Sequence, residues 1–174
     1  NQTYFGDNQA FWERAQYQRI QNGKVEFYNI QLLDVSGKEV TQVIPGQQVV
    51  LRMEVIARSV IHELGFGYCI RSCTGVDLVY SDSILENKML YNVKLGEQYI
   101  IDWRFEVCLQ GGTYNILCGI SIPINLTASK VDFCDLVPCA VQFTVLPTLD
   151  KQLYGLVYWE NNVDIVKYKN MELL

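Results

Sequence analysis

Polar and apolar residues alternate most regularly in the stretch from Gly23 to Arg58. Near its end an apolar set occupies every second position, namely Val49, Leu51, Met53, Val55 and Ala57. The intervening set is mixed and comprises Val50, Arg52, Glu54, Ile56 and Arg58. Successive side chains on a strand leave by opposite faces, so this pattern predicts a long strand with one face in a core and the other in water. Ser36-Gly37 and Pro45-Gly46 predict tight turns, which place a strand and a short strand before the long one.

Further segments of the same kind follow along the chain. Strands are predicted through Phe66, Tyr68 and Ile70, and over Val76 to Tyr80, Glu97 to Val107, Thr113 to Ile122 and Ala140 to Leu146. Residues 81–95 are predicted as a loop with a helical turn, and Pro123 to Pro138 as a long loop. Two short strands are predicted at the end, over Tyr154 to Trp159 and Val163 to Tyr168. About eight strands, with turn signals between them and little helix, indicate an all-β protein built as an antiparallel β-sandwich.

These segments divide the chain into three parts. Residues 1–22 form a polar lead-in or linker, in which Asp7 or Asn8 is a candidate cap for a short helix over Gln9 to Ile20. Residues 23–147 form the sandwich, and residues 148–174 form a separate C-terminal strand segment. The sequence starts at Asn1 without a Met, and we expect it to be cut from a longer protein.

Composition and charge narrow the class of protein. The chain has 174 residues, a hydrophobic content of 49% and a net charge of −5, which is typical of one folded domain. Because the chain is acidic and its basic residues are scattered, nucleic acid and anionic membrane surfaces are poor partners for it. No apolar run approaches the roughly 18 to 20 residues that a membrane helix needs.

The six cysteines leave two interpretations open on the residues alone. They are Cys69, Cys73, Cys108, Cys118, Cys134 and Cys139. They could be disulfide-bonded in a secreted protein, or they could be free thiols in a cytosolic core. Zinc binding by Cys69 with Cys73, or by Cys134 with Cys139, is possible but disfavoured. We expect no metal site and no cofactor.

The sequence is short of the residue patterns that catalysis needs. The single histidine, His62, is predicted to be a solvated loop residue. There is no Gly-x-Ser-x-Gly motif and no phosphate-binding loop. Glu54, Asp102 and Glu106 could suit glycoside hydrolysis, but arginines alternate with them, and cross-strand charge pairing explains these carboxylates without catalysis. We therefore expect no catalytic residues.

The aromatic content is high, with eleven tyrosines, seven phenylalanines and three tryptophans. Most of these rings are expected in the core. Tyr158 and Trp159 are an exception, because consecutive strand residues face opposite sides and cannot both lie inside one core. An aromatic face beside charged side chains suits a sugar, and it suits a dimer interface equally well.

Five stretches of this sequence, taken in order and spacing, resemble one protein family. They are Gly23-x-Val-Glu-Phe, Gln31-Leu-Leu-Asp-Val-Ser-Gly, Pro45-Gly-Gln-Gln-Val-Val-Leu-Arg, Phe66-Gly-Tyr-Cys-Ile-Arg and Gly111-Gly-Thr-Tyr-Asn-Ile. The family is the C-terminal, carbohydrate-binding domain of Wzt, the nucleotide-binding component of bacterial ABC transporters that export O-antigen polysaccharide. The resemblance covers roughly residues 23–147, and the tail from Tyr154 to Ile165 is similar to the family's final strand.

The resemblance implies an immunoglobulin-like sandwich at the cytoplasmic face of the inner membrane, fused in the full protein to an ATPase domain before Asn1. Its function would be to recognise the end of a finished, terminally modified O-polysaccharide for export. It also implies a homodimer that works with the membrane subunit of the transporter. A cytoplasmic location favours free thiols over disulfides.

From this we predict carbohydrate-binding residues on the outer face of one sheet. Trp159 or Tyr158 would stack on a sugar ring, and three arginines would donate hydrogen bonds to a charged cap such as a phosphate, namely Arg52, Arg71 and Arg104. Glu54 and Asp102 would accept hydrogen bonds from hydroxyls. Two alternatives stay open: the last segment could be a strand exchanged between subunits, or the chain could be a secreted immunoglobulin-like adhesion or interaction domain with disulfides.

Overall fold

The computed structural model describes residues 5–125, 130–148 and 153–166. In this part of the chain there is one helix, α1 (Gln9–Ala15). The strands are β1 (Ile20–Gln21), β2 (Val25–Asp34), β3 (Gln42–Val43), β4 (Gln48–Ala57), β5 (Ile61–Ser72), β6 (Asp77–Asp82), β7 (Leu90–Val93), β8 (Gln98–Glu106), β9 (Gly112–Asn125) and β10 (Lys130–Val145).

The strands form two sheets that pack face to face. The smaller sheet has the order β2-β4-β8, and all its pairs are antiparallel. The larger sheet runs β1-β10-β9-β5-β6, with β3 also pairing β10 and β7 also pairing β5. The pair of β3 with β10 is parallel, whereas the others are antiparallel. The predicted all-β, immunoglobulin-like sandwich with a short N-terminal helix is confirmed, with ten strands in the described residues instead of about eight.

The core lies between the two sheets and follows the predicted alternation. All five residues of the apolar set on β4 are buried, as are Val141, Phe143 and Val145 on β10. On the other face of β4, Val50 and Ile56 are buried too, so that face is not wholly in water as predicted. Between the sheets, the Trp103 ring lies edge-on to Tyr68, with the two ring centroids 5.1 Å apart. Aromatic packing of this kind joins β8 to β5 across the core.

Four segments differ from the sequence prediction. Residues 81–95 are not all loop, because β7 occupies Leu90–Val93. The segment from Pro123 to Pro138 is not a long loop, because β9 continues to Asn125 and β10 begins at Lys130. The helix ends at Ala15, well before the predicted Ile20, and Gln18 has a positive φ of 50°. The tail forms no strand in residues 153–166, apart from one isolated bridge between Val157 and Leu109. The end of the second predicted tail strand, beyond residue 166, lies outside the described residues.

The N-terminal segment packs closely on the sandwich. Phe11 and Ala15 of α1 are buried in the core. Arg14 donates to the carbonyls of Ile30 in one sheet and Ala140 in the other, at 2.6 and 2.8 Å. The segment therefore fastens the two sheets to each other. No helix in the described ranges has the length and hydrophobicity needed to cross a membrane.

All six cysteines are free thiols. Cys69, Cys118 and Cys134 are buried, and Cys118 lies on the core side of β9. Burial raises the pKa of the Cys118 thiol well above its usual value. This thiol therefore behaves as a small apolar side chain.

Candidate functional site

The structure brings four of the predicted site residues together on the outer surface of the smaller sheet. Arg52 and Glu54 lie on β4, and Asp102 and Arg104 lie on β8; this set is called the arginine face. Arg52 is the cross-strand partner of Asp102 and donates to its two carboxylate oxygens at 2.8 and 2.9 Å. Arg104 donates to the same carboxylate at 3.0 Å. The cross-strand charge pairing predicted for these residues is therefore present.

The charges of the arginine face largely satisfy one another. Hydrogen bonding from Arg52 holds the pKa of Asp102 below its usual value, and the same bond raises the pKa of Arg52. Burial raises the pKa of Glu54, while Arg52 and a hydrogen bond from Asn29 oppose that shift. Because both arginines already contact a carboxylate, a ligand would have to compete with Asp102 for their donors.

The other three predicted residues lie elsewhere. Arg71 is on β5 in the larger sheet and forms an ion pair with Asp77 on β6, with its Nε 2.5 Å from the carboxylate. Tyr158 and Trp159 lie in the tail, where the Tyr158 amide donates to the Cys108 carbonyl and Trp159 is 77% exposed. The seven residues thus occupy three separate places and do not form one site.

A groove lies on the outer surface of the larger sheet. Its floor contains three glycines on two neighbouring strands: Gly65 and Gly67 of β5 and Gly119 of β9. Gly67 and Gly119 are direct cross-strand partners, so a patch of the sheet has no side chains. This glycine-floored groove has a volume of about 600 Å³, within the range of sites that hold small ligands.

Packing also restricts two of the floor positions, Gly67 and Gly119. A Cβ on Gly67 would lie 2.8 Å from the Ser81 carbonyl oxygen on β6, too close for any other residue without a backbone shift. A Cβ on Gly119 would lie 3.2 Å from the ring of Phe133. A Cβ on Gly65 meets nothing closer than 3.4 Å. The bare floor therefore results from close approach of β6 on one side and of an aromatic ring on the other.

Apolar side chains of β10 form one wall of the groove. Phe133 and Leu136 both lie over Gly119, although three positions separate them and strict alternation would place them on opposite faces. The register of β10 with β9 shifts between Phe133 and Asp135, and this bulge returns Leu136 to the face that Phe133 occupies. Phe133 is 40% exposed, which leaves its ring accessible for stacking.

The opposite wall is formed by β6 and the turn that follows it. Tyr80 donates to one carboxylate oxygen of Asp82 at 2.6 Å, and the other oxygen accepts from the amides of Ile84 and Leu85. Burial and the bond to Asp82 raise the pKa of Tyr80 to about 12, so its hydroxyl stays protonated at neutral pH. Asp82 thus holds both the tyrosine hydroxyl and the turn in place along the groove.

Sequence reasoning missed the residues of this groove. Phe133 falls in the segment that was predicted to be a loop, because the bulge after it interrupts the alternation of apolar residues. The available signal was the run of Val131 and Phe133 between polar residues, which has the period of a strand. The importance of Gly67 and Gly119 depends on their pairing across two strands, which a single sequence does not show.

Other groupings are less suited to binding. The described residues hold no cluster of three or more side chains with the potential to bind a metal ion. His62 lies on β5 and not in a loop, and its Nδ1 is 3.2 Å from the side-chain oxygen of Asn92. A smaller depression of about 300 Å³ lies beside His62, Lys24 and Pro123 and is largely open to solvent.

Two comparisons with known proteins identify relatives of this chain. A family model described as the Wzt C-terminal domain matches residues 16–159. A crystal structure of the C-terminal domain of Wzt superposes with a TM-score of 0.77 at 17% sequence identity, covering 92% of this chain and 98% of that one. No curated protein matches the chain. At 17% sequence identity the superposition supports the shared fold, whereas the family model supports membership of the family.

Proposed function

The chain belongs to the Wzt C-terminal domain family, and from this premise we propose that it is a non-catalytic module that binds the end of an O-antigen polysaccharide. The binding site in this proposal is the glycine-floored groove on the larger sheet. In the full transporter the domain would act at the cytoplasmic face of the inner membrane, beside the membrane subunit. Binding there would mark a finished chain for export.

The observation that carries this proposal is the combination of a bare floor with an accessible aromatic wall. A pyranose ring has apolar C–H faces and a rim of hydroxyls, so it fits a flat surface beside an aromatic ring. Gly67 and Gly119 provide the flat surface, and Phe133 provides the ring. Tyr80 and Ser121 place hydroxyl groups along the groove, where they can exchange hydrogen bonds with a sugar.

Replacing Phe133 with alanine tests the assignment. We expect Phe133→Ala to weaken glycan binding by about tenfold or more, because loss of a stacked ring in a largely preformed site removes both contact area and orientation. The matched control is Tyr91→Ala, since Tyr91 is an exposed aromatic residue on the neighbouring β7 that does not line the groove. Titration calorimetry with a panel of purified O-polysaccharides would measure both variants.

The arginine face provides the competing location for the same function. If it were the site, replacing Arg52 and Arg104 together with alanine would abolish binding while Phe133→Ala left binding unchanged. We expect a larger loss of binding for Phe133→Ala than for the double arginine variant, because the arginines are already bound to Asp102. Both variants should retain the circular dichroism spectrum of the parent.

We also propose that the aromatic tail, residues 153–166, is an assembly surface of a homodimer. Its apolar side chains are largely exposed on the single chain, including Trp159, Val163 and Ile165, of which Ile165 is 89% exposed. On the smaller sheet, the described residues leave the outer edge of β8 without a paired strand. An exposed apolar segment and an open edge on the same chain are the requirements for strand exchange with a second copy.

A further inference from the structure

The ionisable groups that line the glycine-floored groove have one sign. Asp82 is the charged residue in the described lining, and none of the lining residues there is arginine, lysine or histidine. Lys130 and Asp132 flank the lining residue Val131, are opposite in charge and are not part of the lining. A phosphate or carboxylate entering the groove would therefore meet a like charge without an opposite one.

The hydrogen-bonding groups of the groove offer more acceptors than donors. The Tyr80 hydroxyl hydrogen is directed to Asp82, so the oxygen is left to accept. The Asp82 carboxylate can only accept, and the Ser83 hydroxyl, which accepts from the amide of Phe66, is buried. Sugar hydroxyls can donate to such groups, whereas an anionic oxygen needs donors.

The apolar wall adds a requirement for an uncharged substituent. Val131, Phe133 and Leu136 line this wall, and Leu117 lies on the floor beside Gly119. A methyl group in contact with these side chains is stabilised by burial, whereas a charged group would lose its hydration there without a partner.

We propose that the glycine-floored groove selects an uncharged chain end, a terminal sugar with hydroxyls and a small apolar substituent such as a methyl ether or a 6-deoxy methyl group, over one that carries phosphate or carboxylate. This inference rests on the proposed function and narrows its ligand. It departs from the sequence-based expectation of arginines that meet a charged cap. The structure instead places Arg52 and Arg104 on the opposite sheet.

Charges around the groove do not alter this selection. Arg71 shares the outer face of β5 but lies four residues from Gly67, roughly 13 Å at the rise of a strand, and it is paired with Asp77. The turn along the groove carries Lys88 together with Glu86, which are opposite in charge and exposed. The net charge of −5 further disfavours approach of an anion.

Four synthetic oligosaccharides with the same neutral backbone would test the proposal. One ends in an unmodified sugar, one in an O-methyl sugar, one in a phosphate monoester and one in a uronic acid. The backbone is taken from whichever O-polysaccharide the parent chain binds. We expect the O-methyl end to bind tightest and each of the two anionic ends to bind at least about tenfold more weakly. Affinity for the O-methyl end should change little between about 50 and 500 mM NaCl.

A charge substitution in the groove provides the positive control. Val131→Arg should raise affinity for the phosphate-ended compound about tenfold by supplying the absent cation, whereas Val131→Gln should not. Equal or tighter binding of the phosphate-ended compound to the parent chain would overturn the selection for uncharged ends and leave the proposed glycan-binding function standing. Failure of the parent to bind any O-polysaccharide or any of the four compounds would instead overturn the proposed function, and this inference with it.

Discussion

Arg19 and Asp135 form the buried ion pair that fixes the backbone next to the groove. Arg19 donates to both oxygens of Asp135, at 2.9 and 2.6 Å, and to the Phe27 carbonyl, while Asp135 accepts from the Phe27 amide. The guanidinium group also lies 4.8 Å from the centre of the Trp12 ring. The pair therefore connects the N-terminal segment, the bulge of β2 and the bulge of β10 that orients Phe133.

Removing the cation of this pair should destabilise the fold strongly. The side chains of Arg19 and Asp135 are only 5% and 0% exposed. Arg19→Met leaves a buried carboxylate without its main partner, which typically costs about 3 to 5 kcal/mol of unfolding free energy. The control is Arg58→Met, which breaks a pair with Glu26 whose arginine is 45% exposed and should cost about 1 kcal/mol or less.

Urea unfolding followed by tryptophan fluorescence would measure both variants. If Arg19→Met and Arg58→Met lowered the unfolding free energy equally, the ion pair of Arg19 would not have the structural role assigned to it.

At the scale of the element, the sequence predicted the strands that alternate regularly and missed those that contain a bulge. The long strand β4 was identified because five buried residues recur with period two. The same period placed Arg52 and Asp102 on outer faces, where their charges pair across the strands. In β10, register shifts after Phe133 and around Pro138 break the pattern, and the segment was interpreted as a loop. The groove depends on that segment, so its residues could not be identified from periodicity alone.

The aromatic tail is another segment whose surroundings could not be predicted from the sequence. Tyr158 and Trp159 were predicted not to share one core, and both are substantially exposed on the single chain. If the tail is exchanged between subunits, its apolar residues become buried only in the dimer. On the single chain they are therefore exposed to solvent.

Disrupting the tail should change the oligomeric state of the protein. Deletion of residues 153–174 should give a monomer or an insoluble chain, and Ile165→Asp should give a soluble monomer, because a charge in a buried strand interface is strongly unfavourable. The matched control is Val35→Asp, which places the same charge at an apolar residue in an exposed turn. Light scattering after size-exclusion chromatography would report the mass, and an intact dimer of Ile165→Asp would refute the tail as the assembly surface.

At the scale of the whole molecule, the two sheets present different chemistry to solvent. The smaller sheet carries the arginine face, in which the charges pair with one another. The larger sheet carries the glycine-floored groove, in which an apolar wall, a bare floor and hydrogen-bond acceptors lie together. Membership of the Wzt C-terminal domain family makes carbohydrate the ligand that we propose for the groove. The N-terminal segment, through Arg14 and Arg19, holds both sheets in one unit.

Mapping the bound glycan on the assigned amide spectrum of this domain distinguishes the glycine-floored groove from the arginine face. We expect titration of an O-polysaccharide that the chain binds to shift the amide signals of Gly65, Gly67, Gly119 and Phe133, and to leave those of Arg52 and Arg104 in place. Shifts confined to Arg52, Arg104 and their neighbours on β4 and β8 would contradict this expectation and place the site on the arginine face.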